Sequence, residues 1–128
     1  MHHSLLSPGM ITAAEYERWT ALEMADLVRA GQVSAAELRE ACLALIAERD
    51  PLIHAIAELG GPEPAALPAG APLAGVPFAV KDHLPMPGLR WTMGSRLMAA
   101  TPPPDPLPPY SERLLAAGLQ VVASTRSS

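Results

Sequence analysis

The chain has 128 residues, of which 49% are hydrophobic and 17% charged, with a formal net charge of -4. That length suits one domain with a modest core, and that composition belongs to a packed chain rather than an intrinsically disordered one. A negative net charge with scattered arginines offers no positive field for phosphate backbones, so nucleic acid is excluded as a direct ligand.

The amino-terminal stretch MHHSLLSPGM has neither a basic region nor a sustained apolar run, so it does not read as a signal peptide and a cytoplasmic setting is expected. Residues 1–19 are expected to form a flexible amino-terminal segment ahead of one folded unit over 20–128. Thr20 and Glu23 form a capping-box pattern ahead of a helical stripe of Leu22, Ala25, Leu27 and Val28, and Gly31 marks the stop. Ser34 and Glu37 repeat the pattern. Leu38, Cys42, Leu45 and Ile46 then recur at helical spacing, which predicts a second helix over about 35–49, closed by Asp50-Pro51. Cys42 is the single cysteine and lies on that apolar face, so it has neither a disulfide partner nor metal-ligand spacing and reads as a small core residue.

From Gly60 to Pro72 the composition turns to Gly, Pro and Ala and predicts a loop. Leu73 to Val80 is continuously apolar, the pattern of a strand covered on both faces, and Pro77 makes it short or places it at an edge. No apolar run approaches the roughly 20 residues of a membrane helix, so no membrane partner is expected. TPPPDPLPP at 101–109 predicts a rigid polyproline connector; as a ligand for a groove it would make the chain a Pro-rich interaction module. Tyr110 to Ala117 reads as a helix ended by Gly118, and Leu119 to Ala123 as a second strand. Strand, crossover, helix and strand make a right-handed parallel unit.

Of nine strongly basic side chains eight are arginine; the ninth is Lys81, at the carboxyl end of the first predicted strand, the edge where open α/β sheets form ligand crevices. Taken alone, a lysine there is most often a solvated surface residue.

The surrounding residues say more. Pro72-Leu73-Ala74-Gly75-Val76-Pro77-Phe78-Ala79-Val80-Lys81-Asp82, followed by Gly88-Leu89, Thr92 and Gly94-Ser95-Arg96, closely resembles the amino-terminal part of the amidase signature family, with its GPLxGxPxxVKDN and GxxTTxGS patterns. LVRAGQVSAAEL at 27–38 resembles the family's opening helix pair, and LLAAGLQVVASTR at 114–126 its RLRAAGAVVLGKTN segment. The resemblance implies an α/β fold: amino-terminal helices followed by the start of a mixed or parallel sheet, incomplete within these residues. It also implies hydrolysis of amide carbon–nitrogen bonds by two serines and a lysine, with Lys81 as the catalytic distal base and no cofactor or metal. Lysine suits that role because desolvation can push an amine toward neutrality, whereas a guanidinium stays protonated. His83 stands in place of the family's asparagine, Trp91 in place of a threonine and Arg126 in place of a second asparagine; His83 reads as a satisfied loop histidine, with a second titrating group as the alternative.

The Gly-Ser-rich stretch that carries the family's serines does not occur in the sequence, and Ser124, Ser127 and Ser128 precede its place. The resemblance therefore implies an amino-terminal piece of an amidase, inactive alone, that meets a small amide substrate only once completed. The alternative is one chain of a complementing assembly, with homo-association at the open sheet a further expectation.

Overall fold

The computed structural model describes residues 11–62, 68 and 70–127. Three helices lead the chain: α1 (Ala13–Arg18), α2 (Ala21–Arg29) and α3 (Ala35–Ile53). Each begins with the same device. Thr12, Thr20 and Ser34 accept from the backbone amides of Glu15, Glu23 and Glu37, whose carboxylates reach back to the cap amides, so two orphan donors are satisfied at each start. The caps at Thr20 and Ser34 were legible in sequence. The helix α1 was not, and it lies within 1–19; residues 1–10 of that expected flexible segment lie outside the described residues.

The second predicted helix runs four residues beyond its expected end, through Pro51 to Ile53. Proline carries a helical φ and forfeits one amide donor, so it is tolerated in a last turn where the exit is tied down. Here Asp50 does the tying: its carbonyl accepts from His54 N at 2.6 Å and its Oδ1 from Ala55 N at 2.7 Å and Ile56 N at 3.0 Å. His54 takes the left-handed conformation and the chain turns straight into β1 (Ile56–Leu59), a strand that the apolar patterning does not predict.

The expected loop at 60–72 is irregular where it is described; residues 63–67 and 69 of it lie outside the described residues. The strand expected from Leu73 begins at Pro77 instead: β2 is Pro77–Lys81, and residues 72–75 form a turn. Gly75 (φ 86°) donates to the carbonyl of Gly118 at 2.9 Å, a left-handed position that no strand can include. The apolarity of this turn serves burial instead, with Ala74 and Val76 both in the core.

After the loops at 82–108 come α4 (Pro109–Ala116), with proline in its first turn, and β3 (Gln120–Thr125). The sheet order is β1-β3-β2; β3 is parallel to β2 and antiparallel to β1, so the sheet is mixed. Pro77 opens an edge strand, as its missing amide requires. The central strand β3 is covered on both faces. Leu119, just ahead of β3, joins one cluster with Met24, Ala25, Val33, Leu38 and Val76; Val121 joins another with Val80, Met86 and Leu89, with Leu114 of α4 against both groups. The buried amide of Gln120 donates to the carbonyls of Ala35 (2.7 Å) and Gly75 (2.6 Å), binding the start of α3 to the sheet.

Candidate functional site

The carboxyl ends of β2 and β3 lie side by side, Lys81 opposite Thr125. Lys81 is the last residue of β2, its carbonyl accepting from Leu84 N at 3.0 Å to close the turn that follows. Its side chain is exposed and borders an open cavity of about 300 Å³. Phe78, Val80, Leu84, Tyr110 and Leu114 supply most of the remaining wall, so Lys81 is a lone cation on an apolar rim.

Asp82 turns the other way. It is 5% exposed, and its carboxylate accepts from both the amide (2.9 Å) and the hydroxyl of Thr92, while its own amide donates to Thr125 O at 3.0 Å and its carbonyl accepts from Met93 N at 3.0 Å. These bonds from one residue fold the 82–93 loop back over the end of β3. The loop is also anchored by Ser111 of α4, fully buried, whose hydroxyl donates to Pro85 O at 2.7 Å. Asp82 lines a second cavity, of about 310 Å³, with Thr92, Ser95, Ser127 and three arginines, Arg90, Arg96 and Arg126. Consecutive residues therefore serve separate cavities, and Lys81 is not brought together with the polar one.

His83 lines neither cavity; it is exposed, and its backbone carbonyl accepts from Trp91 Nε1 at 3.0 Å. Ser124 is buried within β3. Cys42 is half-buried on α3 against Tyr16 of α1; burial pushes the Tyr16 phenol up, with the Cys42 contact adding to it, and burial pushes the Cys42 thiol up against the opposing hydrogen bond. That is the environment of an inert core thiol. Among the described residues no group of three or more His, Cys, Asp and Glu could hold a metal ion, and no helix is long and apolar enough to cross a membrane.

Sequence patterning alone does not single out the Asp82–Thr92 pair, although both residues lie in the quoted motifs, nor the gathering of three arginines from between positions 90 and 126. A carboxylate just beyond a buried strand was the available signal for the first. The second depends on tertiary structure alone.

No family model matches the chain. Over 113 residues it is 37% identical to a glutamyl-tRNA(Gln) amidotransferase subunit from Prochlorococcus marinus (strain MIT 9313), a match that covers 77% of this chain and 22% of that protein. Over 109 residues it is 39% identical to the subunit of the same name from Chloroflexus aurantiacus (strain ATCC 29366 / DSM 635 / J-10-fl), covering 73% of this chain and 21% of that one. The native peptide amidase from Stenotrophomonas maltophilia superposes with a TM-score of 0.69 over 86% of this chain and 25% of its own, at 22% identity, which shows a shared fold. The chain spans about a fifth of the length of the curated relatives it matches.

Proposed function

We propose, for a chain that belongs to the amidase signature family, that Lys81 is the distal base of an amide-hydrolysing relay whose two serines come from sequence outside these 128 residues. The observation that carries this reading is the position of the VKD lysine: it ends a parallel strand, at the sheet edge where such folds build their sites, beside a cavity wide enough for a small amide.

On this reading a neutral Lys81 amine takes the proton of a bridging serine, which takes that of the nucleophilic serine. The nucleophile's oxygen then bonds to the amide carbonyl carbon, and the carbon–nitrogen bond breaks as the leaving amine gains a proton. Water completes the cycle by hydrolysing the acyl-enzyme. An amine is held uncharged near neutral pH by exclusion of water or by a neighbouring cation, and among the described residues no second cation lines the Lys81 cavity. Lys81 is exposed in this chain, so the elements that bring the serines must also close the cavity between Phe78 and Tyr110. Alone, the chain turns over no amide. A second reading draws on the relatives, each named as one subunit of an amidotransferase: the chain serves a cytoplasmic assembly in which a companion polypeptide supplies the serines and covers the open edge of β2.

The test joins this chain to the part of the Prochlorococcus marinus relative that lies outside the matched segment, by fusion or co-expression, and measures ammonia release from a small primary amide. Lys81→Ala is expected to lower the rate by roughly 10³-fold or more, the scale of losing a nucleophile's activating partner. Undiminished hydrolysis in that variant overturns the assignment.

A further inference from the structure

We propose that the cavity lined by Arg90, Arg96, Arg126 and Ser127 binds a small oxyanion, the carboxylate or phosphate group of a small molecule. Nothing in the amide-hydrolysis reading requires this site, and it stands whether or not Lys81 is a base.

Charge is the first observation. The chain carries a net -4, yet three of its eight arginines line this one cavity, with Asp82 as the single acidic group in the wall. Asp82 offsets one of these charges but forms no ion pair with any of the three: its oxygens are engaged by Thr92, one by the amide and one by the hydroxyl. Arg90 is engaged too, since its Nε lies 3.5 Å from Glu58 Oε1, which also accepts from Arg90 N at 2.8 Å. Arg96 and Arg126 have no carboxylate partner among the described residues. Arg96 and Arg126 therefore line one concave surface without an ion-pair partner, and the wall keeps a net positive charge. A guanidinium's planar fork of donors matches the paired oxygens of a carboxylate or phosphate.

A second observation is independent of charge. The Oγ of Ser127 is buried, has no hydrogen-bond partner, and belongs to a residue of the same cavity wall. Buried hydroxyls are nearly always paired, and one left unpaired destabilises the fold until a ligand or solvent completes it. Ser127 Oγ is closed to solvent as the chain stands, and a change of its rotamer would bring this unused donor to an oxyanion held by Arg96 and Arg126. The backbone around it is held in place. Arg126 N donates to Ala55 O at 2.8 Å, and Gly94 (φ 77°) allows the 92–96 loop to lie over Ser127, whose carbonyl would sit 3.3 Å from any added Cβ. The position also fits, because Asp82 and Arg126, the residues just beyond the carboxyl ends of two adjacent parallel strands, line it. A volume of about 310 Å³ admits a small organic acid or phosphate ester and little more.

The test titrates the 128-residue chain with inorganic phosphate and, separately, with succinate, at ionic strength held constant with sodium chloride, and follows backbone amides by NMR. Saturable binding at about millimolar concentration or below is expected, with shifts confined to residues 90–96 and 126–127. The tighter of the two probes identifies the group the site prefers. Arg96→Gln and Arg126→Gln are each expected to weaken binding at least about tenfold, the loss of a charge-assisted bond, and Ser127→Ala to weaken it severalfold. Arg113→Gln, an exposed arginine on α4, is expected to leave it unchanged. Should a glutamine variant fail to fold, Arg96→Lys and Arg126→Lys keep the charge while losing the fork, and the same weakening is expected. Non-saturable shifts equal to those of sodium chloride, or affinity indifferent to substitution at Arg96 and Arg126, overturn the proposal.

Discussion

Asp82→Ala is expected to destabilise the chain by about 3 kcal/mol. The carboxylate accepts two hydrogen bonds from Thr92, and a bond to a charged group contributes roughly 1.5–3 kcal/mol net. The two bonds share one desolvated acceptor, which brings their sum down to about 3 kcal/mol rather than twice the upper figure. The backbone bonds from Asp82 N to Thr125 O and from Met93 N to Asp82 O survive the substitution, so the loop loosens at Thr92 without detaching from β3. Asp82→Asn is milder, about 1 kcal/mol: its oxygen still accepts from Thr92 N, and the Thr92 hydroxyl can rotate to accept from the new amide. Urea unfolding followed by circular dichroism measures both, read as a shift of midpoint at constant slope. A double-mutant cycle with Thr92→Val is expected to show coupling of about 1 kcal/mol or more. An Asp82→Ala variant within about 0.5 kcal/mol of the parent, or a strictly additive cycle, would refute the view that this pair shapes the site loop.

Other outcomes follow from the same structure. Gly118→Ala places a Cβ 2.6 Å from Ala74 Cα at φ 91° and must displace the 71–75 turn, so about 3 kcal/mol or more is expected, whereas Gly31→Ala (φ 73°), with nothing within 4 Å, costs only the left-handed strain of about 1 kcal/mol. Leu38→Ala, at a fully buried position, is expected to cost about 2–5 kcal/mol by the same unfolding assay. Burial raises Cys42 and Tyr16 in the folded state, so the unfolded chain loses these protons first as pH rises. Stability is therefore unaffected by this pair below the ordinary thiol value of about 8.5 and declines above it. A Tm lower at about pH 10 than at about pH 7.5, with a smaller difference in Cys42→Ala, is the expected result; a higher Tm at the alkaline pH would contradict it.

Local chemistry made much of this fold legible. Ser34-Glu37 and Thr20-Glu23 are short-range cap signals that need no tertiary context, and the structure forms both capping boxes. Thr12 and Glu15 carry the same signal for α1, but a helix of six residues has too little apolar periodicity to stand out beside it. Asp50-Pro51 looked like a stop because proline is judged by its missing amide; the bonds from Asp50 to residues 54–56 that hold the exit exist only once β1 is docked. Sequence patterning does not reveal that strand, because Ile56 to Leu59 is four residues long and alternates weakly, and its partner β3 is distant in sequence. The 73–76 stretch read as strand because apolarity alone cannot distinguish a buried turn from a buried strand. Lys81 is legible through a motif, whereas the arginine-lined cavity arises from residues that only the loops after β2 and the end of β3 bring into proximity.

Arginine in place of Lys81 separates the central claim from its nearest rival. In the completed amidase, ammonia release by Lys81→Arg should fall as far as that by Lys81→Ala, since a guanidinium retains its proton and accepts none. Activity in Lys81→Arg close to that of the parent would show that position 81 supplies only a fixed positive charge, and would contradict the account.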